Sequence, residues 1–276
     1  MVLWQKLATT SWLAKQETRL EIVGGSDLAI ISRPGKMRSS VQITCRTCGA
    51  AEKLQREFGG TIQALPRNWM RPQKAHAPIR IGRRLQIVSE PVLGSMLVIP
   101  AAGAFGTGEH GTTAMSLRLL EEATRSLSPG WRLLDVGTGT GILALAARRF
   151  GARETLGLDN DPRATAHARQ NARLNRITRA RFLTTDIRRW KPTARYEFIT
   201  ANLFSELLLD LLPVFHSALR GEGRLILSGI LREQADSLIR ALRRGGFQLE
   251  RQRRRGKWLA LLARRLERGM LTPLRV

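Results

Sequence analysis

The stretch LLDVGTGTG, residues 133–141, decides the fold. It opens on apolar residues suited to a buried strand, carries an acid at Asp135, and closes on Gly137, Gly139 and Gly141. The residues after it, ILALAARRFG, have the apolar spacing of a helix. A strand that turns sharply into a helix through glycines begins a parallel α/β sheet, in which ligands bind beyond the carboxyl ends of the strands, near the point where strand order reverses. Glycine lets the chain turn tightly there and approach a ligand that a Cβ would repel.

The alternation continues downstream. ETLGLD reads as a strand, and PRATAHARQNARLN as a helix capped by Asp161 with Pro162 in its first turn. ARFLTT, YEFITAN and GRLILSGI read as further strands, with FSELLLDLLPVFHSALRG and LREQADSLIRALRRGG as helices. FQLERQ and KWLALLARR follow in direct succession, which predicts an antiparallel edge hairpin. The expectation is an α/β protein with a doubly wound, mostly parallel, seven-stranded sheet. Residues 265–276 read as a tail.

Upstream, 19–31 (RLEIVGGSDLAII) and 41–47 read as strands, 50–59 as a helix stopped by Gly59-Gly60, and TIQAL as a strand. That makes residues 1–65 a small α+β domain. Pro66, Pro72 and Pro78 mark residues 66–80 as a linker, and the catalytic domain is expected over 81–264.

Composition narrows the function. The formal charge is +24, carried by 39 Arg against 7 Lys. Arginine suits bidentate contact with phosphate, so a nucleic-acid neighbour is one reading and simple arginine enrichment the other. No apolar run approaches the roughly 20 residues of a spanning helix, and Lys6 and Lys15 interrupt the N-terminus, so we expect no membrane partner, no secretory signal and a cytoplasmic protein. Cys45 and Cys48 form a C-x-x-C pair without further ligands at zinc spacing; since VQITCRTC reads as a strand, both are expected to be ordinary reduced cysteines and no metal is expected.

The glycine spacing separates two cofactors. A dinucleotide fingerprint needs G-x-G-x-x-G, but the sixth position from Gly137 is Ile142. G-x-G-x-G with Asp135 two residues ahead favours S-adenosyl-L-methionine, which has no pyrophosphate. Asp159, at the end of the second strand, is placed to accept both ribose hydroxyls. Asp186, after the third strand, is read either as a partner for the adenine amino group or as a solvated turn residue. Asn202 ends the fourth strand, where the methyl would emerge. A lysine amine must first lose its proton, which costs about 4–5 kcal/mol at neutral pH. An amide carbonyl then accepts a hydrogen bond from the amine and aims its lone pair without adding charge.

A second glycine-rich stretch, GAFGTGEHGTT at 103–113, precedes all of this. Taken with LLDVGTGTGILALAA, LGLDNDP, ITANLF, LSGILREQA and GKWLALLARR, it resembles the PrmA family, the methyltransferases of large-subunit ribosomal protein eleven. The similarity runs from about 78 to 264. It implies a Rossmann-like methyltransferase that uses S-adenosyl-L-methionine to methylate lysine or N-terminal amines of a ribosomal protein; the arginine-rich composition adds rRNA as an expected contact. Carried over, the cofactor positions fall on Thr113, Gly137, Asp159 and Asn202. The resemblance makes the first glycine stretch a second wall of the cofactor site. Phe105 then packs near the methyl donor, Thr113 bonds its polar end, and His110 orders the loop or, alternatively, abstracts a proton. Thr112 or Thr113 also reads as the N-cap of the next helix. This chain has PAAGAF where the family has Pro-Gly-x-Ala-Phe. Two other functions remain open: a nucleic-acid base methyltransferase, which NLF disfavours by lacking the prolines of Asn-Pro-Pro-aromatic, and a non-catalytic, cofactor-binding RNA-associated protein.

Overall fold

The computed structural model describes residues 2–24, 27–31, 38–45, 47–64, 78–91, 96–100, 108 and 110–267. They form two compact units, Met1–Lys74 and Ala75–Val276.

The first unit runs β1 (Val2–Thr9), α1 (Thr10–Gly24), β2 (Leu28–Ile31), β3 (Arg38–Cys45), α2 (Cys48–Phe58) and β4 (Thr61–Ala64). Its sheet order is β2-β3-β1-β4 with every pair antiparallel, the split βαβ arrangement of ferredoxin-like units. Trp4, Leu20, Val41, Ile43, Leu54 and Phe58 build its core. Two expectations are corrected here. Residues 19–24 are not strand but the last turns of α1; the β-branched pair Ile22-Val23 suggested a strand, yet both are exposed while Leu20 is fully buried on the helix face that also carries Leu13. Cys48 does not extend a strand. It opens α2 behind an N-cap at Thr47, whose hydroxyl accepts from the Ala50 amide. Cys45 is buried and Cys48 exposed, and both are free; burial pushes the Cys45 thiol up, away from a reactive thiolate.

In the second unit a small sheet comes first, in the order β5 (Ile79–Ile81), β6 (Leu85–Val88) and β7 (Met96–Val98), which the sequence reading did not anticipate. Most of the expected linker, and the tail beyond residue 267, lie outside the described residues. After α3 (Gly111–Ala123) the α/β alternation begins: β8 (Arg132–Val136), α4 (Ile142–Arg149), β9 (Glu154–Asp159), α5 (Pro162–Leu174), β10 (Ala180–Thr184), β11 (Tyr196–Asn202), α6 (Ser205–Ala218), β12 (Leu219–Leu231), α7 (Ala235–Arg244), β13 (Phe247–Arg255) and β14 (Trp258–Arg265). The seven-stranded sheet has the order β10-β9-β8-β11-β12-β14-β13, parallel except for β14, which is antiparallel to both neighbours. The doubly wound sheet and its antiparallel hairpin are thus as expected.

Strand alternation supplies both faces with apolar side chains. Leu133, Phe198 and Ile226 face α3 and α4, whereas Leu134, Ile199, Leu225 and Leu227 face α6 and α7. Strand order reverses between β8 and β11, which places the crevice at their carboxyl ends. An amide bracket ties the small sheet to this body: Val98 donates to Asn175 Oδ1 at 2.7 Å, and Asn175 Nδ2 donates back to the Val98 carbonyl at 2.7 Å. Among the described residues no helix is long and apolar enough to cross a membrane.

Candidate functional site

At the end of β8 the chain leaves the sheet through Gly137, Gly139 and Gly141, with φ of 70°, 53° and 80°. A side chain would be strained at all three, and at Gly141 a Cβ would also press on Ala168 and Phe182, both at 3.0 Å. The turn is held from below by Asp135, which is only 1% exposed. Thr138 Oγ1 donates to its Oδ2 at 2.6 Å and Thr200 Oγ1 to its Oδ1 at 2.7 Å. Burial nevertheless pushes the Asp135 carboxyl up to about 6, against the lowering effect of those two hydroxyls. Asp135 therefore shapes the loop rather than lining the cleft above it.

That cleft, of about 600 Å³, spans the carboxyl ends of β8, β9 and β11. Gly137, Gly139, Asp159, Asp186 and Asn202 all line it, beside the apolar walls of Val136, Leu158, Ile187, Leu203 and Leu207. Asp159 Oδ2 accepts from the Gly139 amide at 2.9 Å and Oδ1 from the Asp161 amide at 3.1 Å. A carboxylate offers about four acceptor sites, so two amides leave room for a vicinal diol. Asp161 is the cap of α5, accepting from the Arg163 amide at 2.8 Å. Asp186 Oδ1 accepts from the Arg188 amide at 3.0 Å, which fixes the turn after β10 at the rim.

The first turn of α3 packs behind Asn202 and does not itself line the cleft. Asn202 Nδ2 donates to Thr113 Oγ1 at 3.4 Å, across 89 residues of chain. Ser228 Oγ donates to the Thr112 carbonyl at 3.2 Å, and Ser228 is the register partner of Asn202. His110 Nδ1 is hydrogen-bonded to Thr112 Oγ1 at 2.7 Å, and its ring meets Trp258 edge-on at 5.6 Å. The expected threonine cap is corrected: α3 begins at Gly111, and His110 is the N-cap without a side-chain cap bond. A Cβ at Gly108 would sit 3.2 Å from Ile142 Cδ1, so that glycine runs over the start of α4. Phe105 and Glu109 lie outside the described residues.

Two contributors were not singled out from sequence. Gly229 has φ of 85°, and a Cβ there would lie 2.3 Å from the Leu203 carbonyl oxygen. It lets β12 pass directly under the turn that follows Asn202. Phe204, two residues beyond Asn202, is 76% exposed at the head of α6. A single glycine in a strand and an aromatic after an asparagine give no local signal of that placement.

The sequence model of the family "Ribosomal protein L11 methyltransferase (PrmA)" matches residues 30–266. The chain belongs to the PrmA family. PrmA relatives carrying that same name include one from Desulforapulum autotrophicum, 41% identical over 63% of this chain and 57% of its own length. Another, from Thermus thermophilus, is 39% identical over 60% of this chain and 63% of its own length. The chain thus spans about three fifths of the curated relatives it matches first. A solved PrmA structure, the ribosomal protein L11 methylase of Lactobacillus delbrueckii subsp. bulgaricus, superposes with a TM-score of 0.62 at 31% identity, covering 69% of this chain and 99% of that one.

Proposed function

We propose that this protein is an S-adenosyl-L-methionine-dependent N-methyltransferase acting on lysine or N-terminal amines of a ribosomal protein of the L11 type, in the cytoplasm where such proteins are made. The names of its relatives support the substrate class. The observation that carries the chemistry is Asn202: its amide nitrogen is engaged by Thr113, and its carbonyl oxygen stands at the carboxyl edge of β11.

The cleft fits the cofactor. Asp159 would hold the ribose, Asp186 the adenine edge, and the glycine turn, with no Cβ, would let the cofactor lie close against the chain. When bound, the sulfonium supplies an electrophilic methyl group. The chain's part is then positioning. Asn202 Oδ1 accepts a hydrogen bond from the neutral amine and directs its lone pair, with no charge that would favour the ammonium form. Thr113 keeps that amide from turning. His110, through Thr112 and Trp258, holds the first turn of α3 and so acts as a positioning residue. The exposed ring of Phe204 offers the methylene chain of a lysine an apolar surface, and its face attracts a cationic product. Residues 1–65 supply recognition of the protein substrate, and the arginine excess suits a substrate met in the company of rRNA.

Radiolabelled methyl donor, offered with ribosomal protein and rRNA in separate reactions, tests this. Label in the protein is the expected result. Label in RNA alone would make the chain a nucleic-acid methyltransferase, and donor binding with no label in either would make it a non-catalytic binder.

A further inference from the structure

Two asparagines at the end of α5 are buried: Asn171, inside the helix, and Asn175, its C-cap. Asparagine is a poor helix former because its amide competes for backbone groups. Inside a buried helix it marks a bond that apolar packing does not supply. Asn171 Nδ2 donates to the Thr140 carbonyl at 2.9 Å, in the glycine turn after β8. Asn175 Nδ2 donates to the Asn171 carbonyl at 2.8 Å and, through the bracket to Val98, fastens this end of α5 to β7. Ala168, three residues before Asn171, is also buried, and a Cβ at Gly141 would press on it. Helix α5 thus lies directly against the turn.

Three consecutive residues of the turn are each held from a different element: Thr138 by Asp135 of β8, Gly139 by Asp159 of β9, and Thr140 by Asn171 of α5. Asp159 lines the cleft, whereas Asn171 does not. Glycines at 137, 139 and 141 give this turn more backbone freedom than any other residues would. Ordering it only when a ligand arrives would weaken binding, and a turn ordered beforehand avoids that loss. We propose that Asn171 is a positioning residue for the methyl donor: by fixing the Thr140 carbonyl it holds the glycine turn in its binding form before S-adenosyl-L-methionine enters. The inference deepens the proposed function and rests on its cofactor assignment. Asn171 acts from behind the turn, so its effect falls on affinity for the methyl donor and not on the transfer step.

Calorimetry of S-adenosyl-L-methionine binding to the full chain tests this. Asn171→Leu, close in volume but unable to hydrogen-bond, should bind the methyl donor about tenfold more weakly, with kcat at saturating methyl donor within about twofold of the wild type. Asn171→Ala, which favours the helix, should show the same loss and serves where leucine prevents folding. In hydrogen exchange without ligand, the amides of residues 137–141 should exchange about tenfold faster in either variant, and saturating methyl donor should restore their protection. Gly256→Ala is the control: its backbone is left-handed and nothing lies within 4 Å, so it destabilises the fold away from the turn and should leave affinity within about twofold. Wild-type affinity in both Asn171 variants, an equal loss in the control, or a fall in kcat with affinity intact overturns the role. A wild type that binds no methyl donor defeats the cofactor assignment and this role together; a wild type that binds it as tightly as the variants do defeats this role alone.

Discussion

Asp135 is a carboxylate kept almost wholly from water to orient two threonine hydroxyls. Its pKa rises from 3.8 to about 6 in the folded chain. The unfolded chain therefore loses this proton at lower pH than the folded chain, and the group subtracts stability as pH rises from about 4 to about 6. The size is about 3 kcal/mol. Measured by urea denaturation, the stability of the wild type relative to Asp135→Asn should fall by that order across the window; a flat difference would mean the carboxylate carries no such burden. At Asn202 the expectation concerns rate. Asn202→Ala should lower kcat by about 100-fold while donor affinity changes little, because what is lost is aim. Asp159→Ala should do the reverse, weakening donor binding about 10- to 100-fold in calorimetry through the loss of charge-assisted bonds to the ribose. If turnover by Asn202→Ala equals the wild type, the amide does not orient the amine.

The site depends on how closely elements approach one another, and this is testable at β12. Gly229→Ala forces a Cβ to within 2.3 Å of the Leu203 carbonyl in a left-handed backbone. Gly256→Ala meets the same kind of backbone, with φ of 57°, but nothing lies within 4 Å. The second substitution should cost about 1–2 kcal/mol. The first should lower Tm several degrees further, since neither backbone can yield; equal melting shifts would show that the contact is slack. Such contrasts mark what sequence can convey. Gly137, Gly139, Asp159 and Asn202 were legible because a parallel sheet fixes where strand ends lie relative to one another. The contact between Asn202 and Thr113 needed the family resemblance, for no local pattern relates positions 89 residues apart. β1 went unread and the end of α1 was misread because short β-branched runs look alike in helix and strand; burial of Leu20 and Trp4 decides between them only once the sheet exists.

At the scale of the molecule, each unit has its own apolar core. A fragment of residues 75–276 should therefore bind methyl donor with the affinity of the full chain yet methylate a ribosomal protein poorly. Retained methylation would move recognition out of the first unit. The position of β14 has a further consequence. This strand is the last of the described strands in sequence but sits inside the sheet, between β12 and β13, and contributes Leu259, Leu261 and Ala263 to the core. Before it arrives, β12 and β13 have no strand between them, and each presents unpaired amides and carbonyls. During translation the sheet thus stays open until residue 265 has cleared the exit tunnel, and a nascent chain stalled just short of β14 exposes two sticky margins for chaperones to shield.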